Sequence, residues 1–157
     1  MKIKLLQIGK TKENYLQIGI KEYEKRISRY IPFEIVTLED LKNTKNLSPE
    51  QVKEKEGELL QKALEDADRI ILLDERGKKM PSLGFAKFLQ GQMNAGGKNI
   101  VFVIGGAYGF SPSIYAMVHE KISLSEMTLS HQLIRLVFTE QLYRAFTILN
   151  NEPYHHE

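Results

Sequence analysis

Four groups of residues in this chain have types and spacings that suit chemistry. The first is Gly105-Gly106-Ala107-Tyr108-Gly109, three glycines in five residues directly behind the apolar run Ile100–Ile104. An apolar strand ending in glycines is how open α/β folds seat a ligand at a strand's carboxyl end. The glycines either permit a tight turn or leave main-chain amides bare against a ligand. The second group is Leu124-Ser125-Glu126-Met127-Thr128-Leu129. It offers main-chain donors and acceptors to an adenine edge between Leu124 and Leu129, or else is a linker whose Ser and Thr favour turns and caps. The third is Arg135 and Arg144 in an apolar helical segment, with Glu140 four residues before Arg144. These arginines suit ion pairs or contacts to a phosphate or carboxylate. The fourth is the tail, where Pro153 stiffens a terminus bearing Tyr154 and His155, two rings able to stack on or hydrogen-bond a base.

Other chemistries find no footing. There is no Gly-x-x-x-x-Gly-Lys-Ser/Thr loop, no Gly-x-Gly-x-x-Gly after the first strand, no Gly-x-Ser-x-Gly elbow and no His-Glu-x-x-His helix. His131, His155 and His156 do not make a metal set, and with no cysteine there is neither disulfide nor thiolate ligand. No metal is expected.

The elements that must position these groups alternate along the chain. Ile3, Leu5, Leu6 and Ile8 make a strand closed by Gly9; residues 13–30 read as an amphipathic helix showing Lys21, Lys25, Arg26 and Arg29 outward. Residues 33–38 alternate as a second strand, and 39–48 are a polar loop. Ser48-Pro49-Glu50-Gln51 carries a capping box with proline at the first helical position, opening a helix to about Ala67. Gly57 inside it costs ~1 kcal/mol against alanine. Ile70–Leu73 is contiguous enough for a strand buried on both faces, stopping at a charged turn from Asp74 to Lys79. A helix to about Met93, a strand at 100–104, a short helix, a strand at 122–124 and a last helix from near Ser130 to Leu149 complete the order. That alternation predicts one α/β domain over 1–157, a mostly parallel sheet flanked by helices. The last helix is apolar nearly all round, which predicts burial on more than one side, most economically against a partner subunit.

The net charge of +2 is unevenly spread. Residues 1–30 carry +5, residues 31–75 carry −6, residues 76–98 carry +5 and the remainder −2. Two basic segments around an acidic one suit a phosphate-facing surface if the fold joins them. The first residues contain no apolar leader and no run approaches the ~18 apolar residues of a membrane span, so no membrane partner is expected and the chain reads as cytoplasmic.

Taken in order, Gly105-Gly106-x-x-Gly109, Leu124-Ser125-x-Met127-Thr128, Arg135-x8-Arg144-Ala145 and Pro153-Tyr154-His155 resemble the RlmH family of SPOUT-superfamily methyltransferases, which act on N3 of a pseudouridine in 23S rRNA. Ile8-Gly9-Lys10, Tyr23-x-x-Arg26, Lys55-Glu56-Gly57 and Gly77-Lys78 extend the likeness over the whole chain. The resemblance implies an α/β fold with a C-terminal trefoil knot and a homodimer whose sites borrow from the neighbour. It also implies S-adenosylmethionine as cofactor and 23S rRNA, on the assembled ribosome, as substrate. By position it implies cofactor contacts at Leu73, Gly105, Leu124, Ser125, Glu126, Met127, Thr128 and Leu129, with Arg144, Tyr154 and His155 near the acceptor base.

Methyl transfer from a sulfonium needs an in-line nucleophile and mostly positioning. N3 must lose a proton, for which His155 is a candidate base and Arg144 a candidate stabiliser of the anionic ring. The chain departs from the family pattern at His156, where Lys or Arg is common, and at Ser130, where proline is expected and a serine cap can serve instead. A ribosome-binding protein that has lost catalysis is the alternative that the altered tail raises.

Overall fold

Period-two apolar runs separated by amphipathic helices wind into a parallel sheet when the connections cross over. The computed structural model describes residues 1–156. Strands β1 (Lys2–Ile8), β2 (Phe33–Leu38), β3 (Arg69–Lys79), β4 (Asn99–Ile104) and β5 (Glu120–Ser123) lie in the order β2-β1-β4-β3-β5, with every neighbouring pair parallel. The helices are α1 (Asn14–Ile27), α2 (Pro49–Ala63), α3 (Ser82–Asn94), α4 (Pro112–Met117) and α5 (Leu133–Leu149). Alternation along each strand splits the core in two. Ile3, Leu5, Ile71, Ile100 and Phe102 face α1, α3 and α5, while Leu6, Ile8, Leu72, Val101 and Val103 face Leu60 and Leu64 of α2 and Ile114 of α4. Among the described residues, no helix is long and apolar enough to cross a membrane.

Much of the apolar surface of α5 is buried inside its own chain. Phe138, Leu142, Ala145 and Phe146 are buried on the sheet. Leu136 reaches α1 so closely that a Cβ on Gly19 would lie 2.8 Å from it, and Gln141 accepts a hydrogen bond from Ser82 of α3 at 2.8 Å. An outer stripe of Leu133, Val137, Glu140 and Arg144 stays at least partly open. In α1, Tyr15 and Ile18 lie off the buried stripe of Leu16, Ile20 and Ile27 and are 67% and 62% exposed. Arg26 is half-buried rather than outward, lying 5.4 Å over the Tyr23 ring.

Strand β3 does not stop at Asp74. Leu73 and Lys78 both pair with Ile122, so residues 74–77 leave the ladder and the strand then rejoins β5. Gly77 makes this possible, since a Cβ there would sit 2.5 Å from the Ile122 backbone. The expected cap of α2 forms: Ser48 Oγ accepts from the Gln51 amide at 3.2 Å and Gln51 Oε1 from the Ser48 amide at 2.8 Å. Gly57 acquires its packing reason here, because a Cβ would meet Ser111 Oγ at 2.6 Å. Part of each basic segment comes to one layer: exposed Lys21 and Lys25 of α1, Arg29 just beyond it and Lys87 of α3 lie on the α5 side, while α2 lies across the sheet.

Candidate functional site

The carboxyl ends of β3, β4 and β5 surround a cavity of about 350 Å³, within the range of small-molecule sites. Seven residues expected at a cofactor line it: Leu73, Gly105, Leu124, Ser125, Met127, Thr128 and Leu129. Glu126 does not; its carboxylate turns away to Lys79 at 3.3 Å. The loop after β5 is held by its own serines, with Ser123 Oγ donating to the Ser125 carbonyl at 2.9 Å and Ser125 Oγ accepting from the Met127 amide at 2.9 Å. Ser130, standing where proline is expected, accepts the Leu133 amide on its Oγ at 3.0 Å and so opens α5 as a capping serine does.

The glycines of the turn act from behind the wall rather than by leaving room in front of it. A Cβ on Gly105 would meet the buried Phe110 ring at 3.1 Å, and one on Gly106 would meet the Glu56 carboxyl at 2.5 Å. Only Gly109, at φ 85°, needs the left-handed conformation. Main-chain wall, serine-braced loop and apolar Leu73, Ile104, Leu129 and Ile134 together suit a flat heterocycle with a polar edge.

Arg135 is neither in an ion pair nor free for a ligand. It is fully buried, and its guanidinium donates to the carbonyls of Ile8 and Gly9 at 2.8 Å each, to Thr11 Oγ1 at 3.0 Å and to the His131 carbonyl at 3.1 Å. Burial pushes it below the ordinary arginine range, partly offset by Asp40. His131, on the cavity wall, is pushed down by burial and then by Arg135.

Arg144, Tyr154 and His155 gather at the other end of α5. Arg144 donates to Glu140 Oε1 through Nη2 at 2.6 Å and Nε at 3.0 Å, the pairing expected from their spacing. The same oxygen accepts the Tyr154 hydroxyl at 3.1 Å, and the guanidinium lies 4.7 Å over the Tyr154 ring. The bond to Glu140 pushes Arg144 up; burial first, then bonds to Tyr23 and Glu140, push Tyr154 up. Arg144 Nη1 lies 3.2 Å from His155 Nδ1. A guanidinium only donates, so in a neutral ring the proton resides on Nε2, which is buried without a partner. His155 therefore presents a donor, and acting as a base requires release of Nδ1. Tyr30 fixes the tail by donating to Glu152 at 2.7 Å. His156 is exposed.

Helix α5 runs parallel to α1, from Gln132 beside Lys12 to Phe146 beside Tyr30. The cavity reaches Ile134, and the cluster is built on Glu140 and Arg144 further along the helix, about 9 and 15 Å away by helical rise. One chain thus holds the cavity and the tail cluster at opposite edges of the sheet.

A family model described as a predicted SPOUT methyltransferase matches residues 1–155. The chain belongs to the SPOUT methyltransferase family. Among curated relatives, the proteins called ribosomal RNA large subunit methyltransferase H from Parabacteroides distasonis and Flavobacterium johnsoniae are each 57% identical over 157 residues, covering all of both chains. That of Bacteroides thetaiotaomicron is 55% identical over the same span. These place the chain within the RlmH family that its motifs resemble. A solved structure of a probable methylase family protein from Haemophilus influenzae shares the fold at a TM-score of 0.53 and 14% identity, covering 95% of this chain and 66% of that one.

Two residues of this SPOUT chain escaped the reading of chemical motifs. Asp74, taken for part of a turn, lines the cavity from the β3 bulge. Glu56, noted only as part of a motif, is 8% exposed beneath Gly106, with Oε1 unpartnered. Burial, then Asp40, pushes its carboxyl above the ordinary glutamate range. Protonation therefore favours the fold: this contribution is complete below about pH 4.5 and is lost as pH rises through the raised value. Glu56→Gln is expected to flatten that dependence and to raise Tm at neutral pH by about 2–4 °C, equivalent to about 1 kcal/mol. Thermal melts of both proteins across pH check this; curves that fall in parallel would show that Glu56 is not the titrating group.

Proposed function

We propose that this protein is an S-adenosylmethionine-dependent methyltransferase of large-subunit ribosomal RNA, modifying N3 of a pseudouridine in 23S rRNA on the assembled ribosome. The observation that carries the reading is the cavity at the carboxyl ends of β3, β4 and β5, walled by the Gly105 turn and the Leu124–Leu129 loop, in a chain matched end to end by relatives bearing that methyltransferase name. When bound, the cofactor supplies an electrophilic methyl group. The chain's own part is positioning: Leu124 and Leu129 to cover the adenine, loop amides and carbonyls to meet its edge, and Leu73 and Gly105 to complete the wall. Arg144, held by Glu140, offers fixed positive charge to a ring losing its N3 proton, and His155 and Tyr154 orient that ring.

A homodimer completes the reading. The edge-to-edge separation of cavity and cluster is resolved if a two-fold partner lies antiparallel along the open stripe of α5, setting its Arg144, Tyr154 and His155 beside this chain's cavity. Exposed Tyr15, Ile18 and Leu133 supply apolar surface for that contact. The C-terminal trefoil knot and the cytoplasmic location belong to the same proposal. Lys21, Lys25, Arg29 and Lys87, on the α5 side, suit rRNA phosphates.

The test pairs calorimetric titration of S-adenosylmethionine with mass spectrometry of 23S rRNA from a deletion strain. Binding, together with one methyl lost from a pseudouridine, is expected. Absence of binding defeats the enzyme; binding with an unchanged modification pattern defeats the assigned substrate.

A further inference from the structure

Asp74 stands where the mechanism has not used it. The β3 bulge lifts it out of the ladder and onto the cavity wall. Two donors fix its carboxylate: the Arg76 amide at 3.0 Å on Oδ1, and the Tyr115 hydroxyl on Oδ2. Tyr115 is itself held, edge-on to Phe110 at 5.9 Å and under the Lys121 ammonium at 5.2 Å. Phe110 is the ring that fills the space behind Gly105. One packed line of side chains thus ties the carboxylate to the glycine turn across the cavity.

The wall's charge is one-sided. Its ionisable side chains are Asp74, Glu75 and His131; no lysine or arginine lines it. Each Asp74 oxygen spends one lone pair on its anchor and keeps another. A cavity built for an anionic ligand would not keep a preorganised, half-buried carboxylate on its wall with no lysine or arginine lining it.

We propose that Asp74 makes the site discriminate by charge, holding a cationic methyl donor more tightly than its neutral demethylated product. This rests on the function proposed above. S-adenosylmethionine carries a sulfonium, an ammonium and a carboxylate, for a net charge of +1. In transfer, the N3 lone pair forms the new C–N bond, the C–S bonding pair stays on sulfur, and the N3 proton leaves with a base. S-adenosylhomocysteine is therefore left with no net charge, and the attraction to Asp74 falls at the moment the product must go. The carboxylate acts as a positioning and release element through the field it casts on the cavity.

The experiment is calorimetry of both ligands on the full chain, wild type and Asp74→Asn, with melting curves to establish that each protein is folded. The asparagine variant is expected to bind S-adenosylmethionine roughly fivefold to tenfold more weakly and S-adenosylhomocysteine within about twofold of wild type. Equal losses for both ligands would overturn the proposal, because a contact to a ribose hydroxyl or a structural role weakens both alike. No change in either would also overturn it. Should Asp74→Asn unfold, the wild type alone decides: its preference for donor over product must shrink between low salt and roughly 0.5 M salt, and a salt-independent preference defeats the idea. Tyr115→Phe, which keeps the charge and frees it, is expected to lose less donor affinity than Asp74→Asn; a larger, donor-specific loss would move the role to Tyr115. If wild type binds neither ligand, the underlying function fails with the inference. If it binds both and Asp74→Asn loses them equally, only the inference falls.

Discussion

Replacing Arg135 with methionine is expected to destabilise the protein by about 3–5 kcal/mol, a large part of the ~5–15 kcal/mol that holds a domain folded. The substitution nearly conserves volume, so packing is not the issue. What is lost is a guanidinium that satisfies the Ile8, Gly9 and His131 carbonyls and Thr11 Oγ1 in a site with no solvent exposure. Those acceptors are then left in the interior without donors, the costly side of hydrogen-bond deletion. Lysine keeps charge but cannot reach diverging carbonyls with one nitrogen, so Arg135→Lys should recover less than half of the loss. Urea unfolding measures both, and a loss under about 1 kcal/mol for methionine would mean that water or relaxation replaces the arginine.

Truncation after Asn151 is expected to remove methyl transfer, by a factor of at least roughly 100, while leaving affinity for S-adenosylmethionine unchanged. The cavity wall contains nothing beyond Ile134, whereas the truncation deletes Tyr154 and His155 and strips Arg144 of two of its partners. Thr128→Trp, at an exposed position on the cavity mouth, should do the reverse and block cofactor while sparing the tail. If the two halves meet across a dimer, refolding the two inactive chains together restores activity through mixed dimers carrying one intact composite site. Persistent inactivity of the mixture, with mixed dimers verified by mass, would place cavity and tail cluster in one chain. Full activity of the truncated protein would strip the tail of its role altogether.

How much of this was legible beforehand follows from the range of the interactions. Ile70–Leu73 and Ile100–Ile104 announce buried parallel strands because their apolar character is local and continuous, and Ser48 with Gln51 announces a helix start because both partners lie within four residues. The Glu140–Arg144 pair was legible for the same reason. Asp74 to Lys79 read as a turn because nothing in a charged hexapeptide reports that Ile122 of the neighbouring strand, more than forty residues on, will pair with Lys78. Arg135 looked like an ion-pair or ligand residue because side-chain types predict side-chain partners, and its partners are mostly main-chain carbonyls, which no residue type encodes. The all-round apolarity of α5 was legible as burial on more than one side, but not that α1, α3 and the sheet supply much of it, since periodicity counts buried faces without saying what covers them. That the cavity and the tail cluster stand at opposite edges follows only from the direction of α5.

The bonds from Arg135 to Ile8 and Gly9 also impose an order in time. Their partners are 127 and 126 residues apart in the chain. A ribosome adding ~5–20 residues per second therefore exposes the end of the first strand for roughly 6–25 seconds before the side chain that saturates its carbonyls has been made. Helix α5, wedged between α1 and α3, follows both in the chain and is the piece that closes that layer of the core. The nascent chain thus waits with this layer of its core incomplete until α5 has been made.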